Sequence, residues 1–230
     1  MKFLKPTLAL ISMVVIMSGC NSKIGKVDIK TDSDSLSYAI GINMGYNLKN
    51  SKIDNVNIIA VANGMQDVKE AKKDLMTPEK SMEIIQKFLT KQKEAEGLKN
   101  IEVGKKFLED NAKNEGVISD PEGFQYKTLQ EGTGAMPAET DVVKVHYKGT
   151  LIDGTEFDSS FKTNQPAQFP LNGVIRGWTL GLQKMKVGGK MMLWLPASLA
   201  YGERGGGPIG PNQTLIFEIE LLEIVKEVNK

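Results

Sequence analysis

The run Val143-Lys-Val-His-Tyr-Lys-Gly-Thr-Leu151 alternates strictly. Val143, Val145, Tyr147, Gly149 and Leu151 fall on one side, and Lys144, His146 and Lys148 on the other. A two-residue period of this kind predicts a strand with one buried face. Asp153-Gly154 follows as a strong turn signal. Further along, residues 191–195 and 214–225 carry strand pattern again, with Phe217, Ile219 and Leu221 on one face. Ahead of both, Trp178, Leu182 and Met185 mark one short helix. Several strands and a single short helix within residues 117–230 predict a small α+β domain, an antiparallel sheet wrapped around that helix.

Upstream the period changes. Glu115-Gly116 and Ser119-Asp-Pro-Glu-Gly123 mark the boundary. Over residues 36–48, Leu36, Ile40, Met44 and Leu48 recur at spacing four beside Tyr38, Ile42 and Tyr46, which predicts a helix buried on a wide face, with Asp32-Ser-Asp-Ser supplying its cap. Asp54-Asn55 can cap a second helix over residues 56–71. Thr77-Pro78-Glu79 has the residue types of a third helix start, a cap, a proline at the first helical position and an acid in the first turn. That pattern runs thinly to Asn114. A helix of about 36 residues would be roughly 54 Å long, with a largely solvated middle. Gly97 and Gly104 leave a bend or break open. The expected order is thus an all-helical domain over residues 34–76, a long linking helix over 77–116, and the α+β domain over 117–230. Residues 34–76 carry more apolar surface than two short helices can hide alone, so they predict a homodimer, with two-fold symmetry the commonest closure.

The first 33 residues have a different character. Lys2 and Lys5 precede an apolar run over residues 8–17, too short for a comfortable membrane span and right for a signal-peptide core. It ends in Ser18-Gly19-Cys20, and Cys20 is the only cysteine. This ending resembles the bacterial lipoprotein signal, with Met17 where that signal has a leucine. The resemblance implies cleavage of residues 1–19, lipidation of Cys20, and a polar tether over residues 20–33. An ordinary secretory signal with an incidental cysteine is the alternative.

Composition narrows the chemistry. Lys+Arg number 29 against 28 Asp+Glu, a net charge of +1, and a nucleic-acid binder would carry a concentrated basic excess. One cysteine and one histidine exclude an internal disulfide framework and Cys- or His-rich metal sites, so neither a metal nor a cofactor is expected. His146 lies on the polar face of its strand, which predicts a surface or locally hydrogen-bonded side chain. Gly205-Gly206-Gly207 runs into Pro208 and reads as a loop rather than a phosphate cradle.

What remains is a set of apolar and aromatic residues beside turns: Tyr147, Phe157, Phe169, Val174, Ile175, Trp178, Tyr201, Ile209 and Phe217. Plain core is one reading of them. Trp178, after Arg176-Gly177 at a helix start, and Tyr201, beside a Gly/Pro loop, are harder to place there. Residues 145–151, 153–160, 174–178, 200–202 and 214–221 together resemble the FKBP-type peptidyl-prolyl isomerases, five motifs in order. Residues 34–116 are similar in pattern to the helical N-terminal domain of the macrophage-infectivity-potentiator group, whose helices intertwine two chains.

The resemblance implies a pocket. Trp178 would form its floor and Tyr147, Phe157 and Phe217 its walls. Val174 and Ile175 would stand at one rim, Tyr201 and Ile209 at the other, with Phe169 also against the substrate. The Ile175 backbone N–H and the Tyr201 hydroxyl would donate to substrate carbonyls. Asp158 would be the one buried carboxylate, held near Tyr147. Ala167 stands where drug-binding members have an aromatic wall, and Thr163 where they have an arginine supporting the Asp. The implied activity is non-covalent isomerisation of X-Pro bonds in unfolded, exported polypeptides, by a protein lipid-anchored in the bacterial envelope, at the outer membrane facing the periplasm, with exposure at the cell surface the alternative. A chaperone or peptide-binding module without turnover is the rival, because fold alone does not fix activity.

Overall fold

The structure, a computed structural model, describes residues 27–70 and 75–225. The expected leader, Cys20 and the start of the tether lie outside these residues. The chain divides into two compact units, Met1–Thr77 and Pro78–Lys230.

The first unit contains α1 (Asp32–Asn50) and α2 (Ile58–Lys69). α1 begins a turn earlier than the apolar spacing predicts. Thr31, not a residue of Asp32-Ser-Asp-Ser, is the cap: its Oγ1 accepts from the Asp34 N–H at 3.1 Å, and Asp34 Oδ2 accepts from the Thr31 N–H at 2.9 Å. This reciprocal box satisfies two donors that a helix start leaves free. α2 begins later than predicted, because Asn57 Oδ1 takes the N–H groups of Ile59 and Ala60. Neither helix contains a buried residue. Leu36, Tyr38, Ile40, Ile42 and Tyr46 of α1 and Ile58, Ile59, Met65 and Val68 of α2 are exposed.

The second unit opens with α3 (Pro78–Asn111), an α-helix continuous through Gly97 and Gly104. Gly97, Gly104 and Asn111 are its buried residues. Its C-terminal end is tied to the sheet: Asn111 Nδ2 donates to Gln125 Oε1, and Gln125 Nε2 donates to the Leu108 carbonyl, both at 2.8 Å. Then follow β1 (Ile118–Ser119), β2 (Gln125–Gln130), β3 (Val142–Leu151), β4 (Glu156–Ser159), β5 (Ala167–Pro170), α4 (Arg176–Leu182), β6 (Lys190–Leu195) and β7 (Leu215–Val225). All pairings are antiparallel, in the order β1-β2-β6-β7-β3-β4, with β5 also on β3.

The alternation in β3 holds: Val143, Val145, Tyr147 and Gly149 are buried. Phe217, Ile219 and Leu221 of β7 face the same core. Against it lies α4, with Trp178 and Leu182 buried. Met185 packs in the core from beyond the helix end. Close packing explains two glycines here. A Cβ on Gly177 would stand 2.4 Å from a Leu195 methyl, and one on Gly181 2.8 Å from a Leu193 methyl. The helix therefore rests almost backbone-on against β6, which sets the depth at which Trp178 sits.

Candidate functional site

Trp178 is 4% exposed and stands in the first turn of α4, its N–H bonded to the Ile175 carbonyl at 2.9 Å. Three rings meet it edge to face: Tyr147 at 5.1 Å between centroids and 87°, Phe217 at 5.3 Å and 80°, and Phe169 at 5.5 Å and 90°. Perpendicular contacts set the positive edge of one ring against the negative face of another, each favourable by about 0.5–1.5 kcal/mol beyond area burial. Phe157 extends the group, meeting Phe217 at 5.6 Å and 85°. Strand pairing assembles these rings from four strands. Gly149 of β3 lies opposite Phe217 of β7 and Asp158 of β4, while Val143 pairs with Phe169 of β5.

The Trp178 indole N–H is buried without a hydrogen-bond partner among the described residues. Tyr147, by contrast, is satisfied. Its hydroxyl donates to Asp158 Oδ2 at 2.5 Å, and Asp158 Oδ1 accepts from the Ser159 N–H at 2.9 Å. Burial, and then the hydrogen bond to Asp158, push the Tyr147 phenol well above its ordinary value, so it is a neutral donor. Asp158 itself is exposed, which corrects the expectation of a buried carboxylate. It sits on β4, the last strand of the sheet order, so one side of the carboxylate keeps its water.

The other expected residues grade outward. Phe157, Phe169, Val174 and Ile175 are half-buried, and Tyr201 is 45% exposed. Ile209, expected at a rim, is 5% exposed and belongs to the core cluster. Neither the Ile175 N–H nor the Tyr201 hydroxyl has a partner among the described residues. Ala167 is half-buried against the core, opposite Val145. Thr163 Oγ1 donates to the Ser160 carbonyl at 3.3 Å rather than to Asp158.

Ser160 was not legible as a site residue. Its buried Oγ accepts from the Tyr147 N–H at 2.8 Å and stands 3.0 Å from His146 Nδ1. It holds the backbone of the residue whose hydroxyl meets Asp158. His146 stacks on Phe161 at 4.8 Å and 13°, the locally hydrogen-bonded placement its parity predicts.

This geometry can be set beside known proteins. The family model described as FKBP-type peptidyl-prolyl cis-trans isomerase matches residues 134–222, and the domain amino terminal to that isomerase matches residues 33–128. The Outer membrane protein MIP of Legionella longbeachae is 43% identical over 222 residues, covering 93% of this chain and 95% of that one. The FKBP-type peptidyl-prolyl cis-trans isomerase FkpA of Aeromonas hydrophila is 44% identical over 218 residues, with 87% and 80% covered. Among solved structures, that of FkpA from Escherichia coli superposes with a TM-score of 0.69 at 35% identity, covering 86% of this chain and 98% of its own.

Proposed function

Because the chain belongs to the FKBP-type peptidyl-prolyl cis-trans isomerases, we propose that the aromatic group around Trp178 is where it turns the X-Pro bond. The observation that carries this reading is the company of that indole: three perpendicular rings, in a unit that also offers two donors, the Ile175 N–H and the Tyr201 hydroxyl, with no partner among the described residues.

The chemistry follows from the amide. Rotation out of plane costs about 18–20 kcal/mol because it breaks resonance. Uncatalysed, an X-Pro bond takes about 10–100 s to isomerise at 25 °C. In the twisted state the carbonyl oxygen carries less negative charge, so water favours the planar ground state. Apolar rings that displace water remove that preference. The pyrrolidine ring is an apolar disc suited to the indole face. Donors at Ile175 and Tyr201 hold the flanking peptide, leaving one bond free to turn. Lowering the barrier by about 5 kcal/mol gives roughly a 4,000-fold acceleration. No proton transfer is needed: Tyr147 contributes a ring wall, and Asp158 fixes its hydroxyl by a hydrogen bond.

Three further assignments belong to this reading. Lipidation of Cys20 anchors the protein in the bacterial envelope, at the outer membrane facing the periplasm, and the Legionella relative's name supports the membrane. Residues 34–76 join two copies; the exposed apolar residues of α1 and α2, two helices that bury none of their own residues, support this. Proline-containing exported chains are the substrates.

A protease-coupled assay on an X-Pro peptide tests the activity, with turnover expected well above the buffer rate and Tyr201→Phe expected to reduce it. Turnover at the buffer rate defeats it. Light scattering of the soluble form, residues 21–230, is expected to give twice the chain mass. Suppressing aggregation of a proline-free protein without accelerating a proline-limited one would favour a chaperone instead.

A further inference from the structure

The loop that carries Tyr201 does not stand alone. The Asn212 N–H donates to the Gly202 carbonyl at 2.9 Å, and Gly206 and Ile209 exchange two backbone hydrogen bonds, so residues 201–212 close on themselves. Gly202, Gly205, Gly207 and Asn212 all have positive φ. Such a loop pays a high entropy to order and needs backing.

The backing is α3. Asn100 Nδ2 donates to the Pro211 carbonyl at 2.8 Å, across 111 residues of sequence. A Cβ on Gly97 would stand 3.0 Å from Asn212 Nδ2 and 3.5 Å from Pro211 Cβ. A Cβ on Gly104 would stand 2.3 Å from Thr214 Oγ1. Gly97, Asn100 and Gly104 recur at three- and four-residue spacing, so they lie on one face of the helix. Two glycines that weaken a helix are the ones that let residues 211–214 seat against it.

We propose that this face of α3 is part of the isomerase, with Asn100 a positioning residue that acts through Pro211 and Asn212 to hold the Tyr201 wall. The role deepens the site assigned above and rests on it. The helix fixes where the substrate-facing hydroxyl stands, so its loss weakens substrate binding more than turnover of bound substrate.

The experiment uses the full chain without its leader. Asn100→Asp keeps shape and removes the donor. Gly104→Ala wedges the helix off Thr214, and Thr214→Ala added to Gly104→Ala removes the clashing Oγ1, leaving an ordinary contact at 3.4 Å to Cβ. Asn100→Asp and Gly104→Ala are expected to raise KM for an X-Pro peptide about three- to tenfold, the worth of one hydrogen bond, with kcat within about twofold. Both are expected to speed amide hydrogen exchange in residues 201–214 while leaving β7 protected. The double variant is expected to recover both readouts. Unchanged KM and exchange overturn the proposal, as does faster exchange throughout the sheet, which would mark plain destabilisation. Wild-type turnover at the buffer rate would defeat the isomerase reading instead, and the exchange of residues 201–214 would still decide whether α3 holds the loop.

Discussion

The Tyr147 hydroxyl and the Asp158 carboxylate share a hydrogen bond of 2.5 Å between a buried strand and an edge strand. One end is dry and the other wet, since Tyr147 is 8% exposed and Asp158 lies in the exposed class. Removing the hydroxyl leaves the carboxylate with water and the Ser159 N–H, so little is stranded. Tyr147→Phe is therefore expected to cost about 1 kcal/mol in urea unfolding. Asp158→Asn, which keeps an acceptor, is expected to cost less. Reversal of that order would show that the charge, not the acceptor, holds the tyrosine.

Gly149 gives a sharper test, because the site walls meet across it. A Cβ there would stand 2.6 Å from two Phe157 ring atoms and 3.0 Å from a Phe217 ring atom. The rings are locked in perpendicular contact and cannot both retreat. Gly149→Ala is expected to destabilise by about 1–3 kcal/mol, as overpacking does, and to weaken peptide binding alongside. Chemical denaturation and a Trp178 fluorescence titration measure the two effects. Unaltered binding would place the Phe157 wall outside the site.

Strand β3 and α4 were legible because their periods, two and about four, depend only on neighbours in sequence. Trp178 stood out for the same reason, because it follows Arg176-Gly177 at a helix start. The misses in the isomerase unit have a common cause. The exposure of Asp158 depends on β4 being the sheet edge, and strand order is not a local property. The demand for glycine at 149 arises from two rings on two other strands. Gly97 and Gly104 read as weaknesses in a helix until residues 211–214, more than 100 positions away, are placed against them. Helix starts shifted because Thr31 and Asn57 competed successfully with residues beside them for the same backbone N–H groups.

Asp120 pins the turn before β2 to the segment after α4. Its Oδ2 meets Lys184 Nζ at 2.8 Å, and its Oδ1 accepts from the Glu122 N–H. The hydrogen bond from Lys184 holds the Asp120 carboxyl below its ordinary value of 3.8. A carboxylate with a depressed folded pKa contributes stability that is present above the unfolded value, about 3.9, and lost as the pH falls through the folded one. Asp120→Asn is expected to lower the melting temperature at neutral pH and to flatten its fall below about pH 4. A parallel fall in wild type and variant would assign the acid sensitivity to other carboxylates.

The indole of Trp178 allows its two contributions to be separated. Its rings fill the space among Tyr147, Phe169 and Phe217, while its N–H is a buried donor with no partner among the described residues. An unsatisfied buried donor costs about 1–3 kcal/mol, whereas a large-to-small change at such a position costs about 3–5 kcal/mol. Trp178→Phe loses part of the packing and all of the penalty, so its stability is expected to fall within about 1–2 kcal/mol of wild type. Trp178→Ala loses the packing and opens a cavity, and is expected to fall by the full amount. Peptide binding should follow ring area: reduced severalfold in Trp178→Phe and abolished in Trp178→Ala, read by calorimetry with an X-Pro peptide. If Trp178→Phe bound as weakly as Trp178→Ala, the N–H rather than the ring face would be what the substrate meets, and the orphaned donor would be a group waiting for a substrate carbonyl.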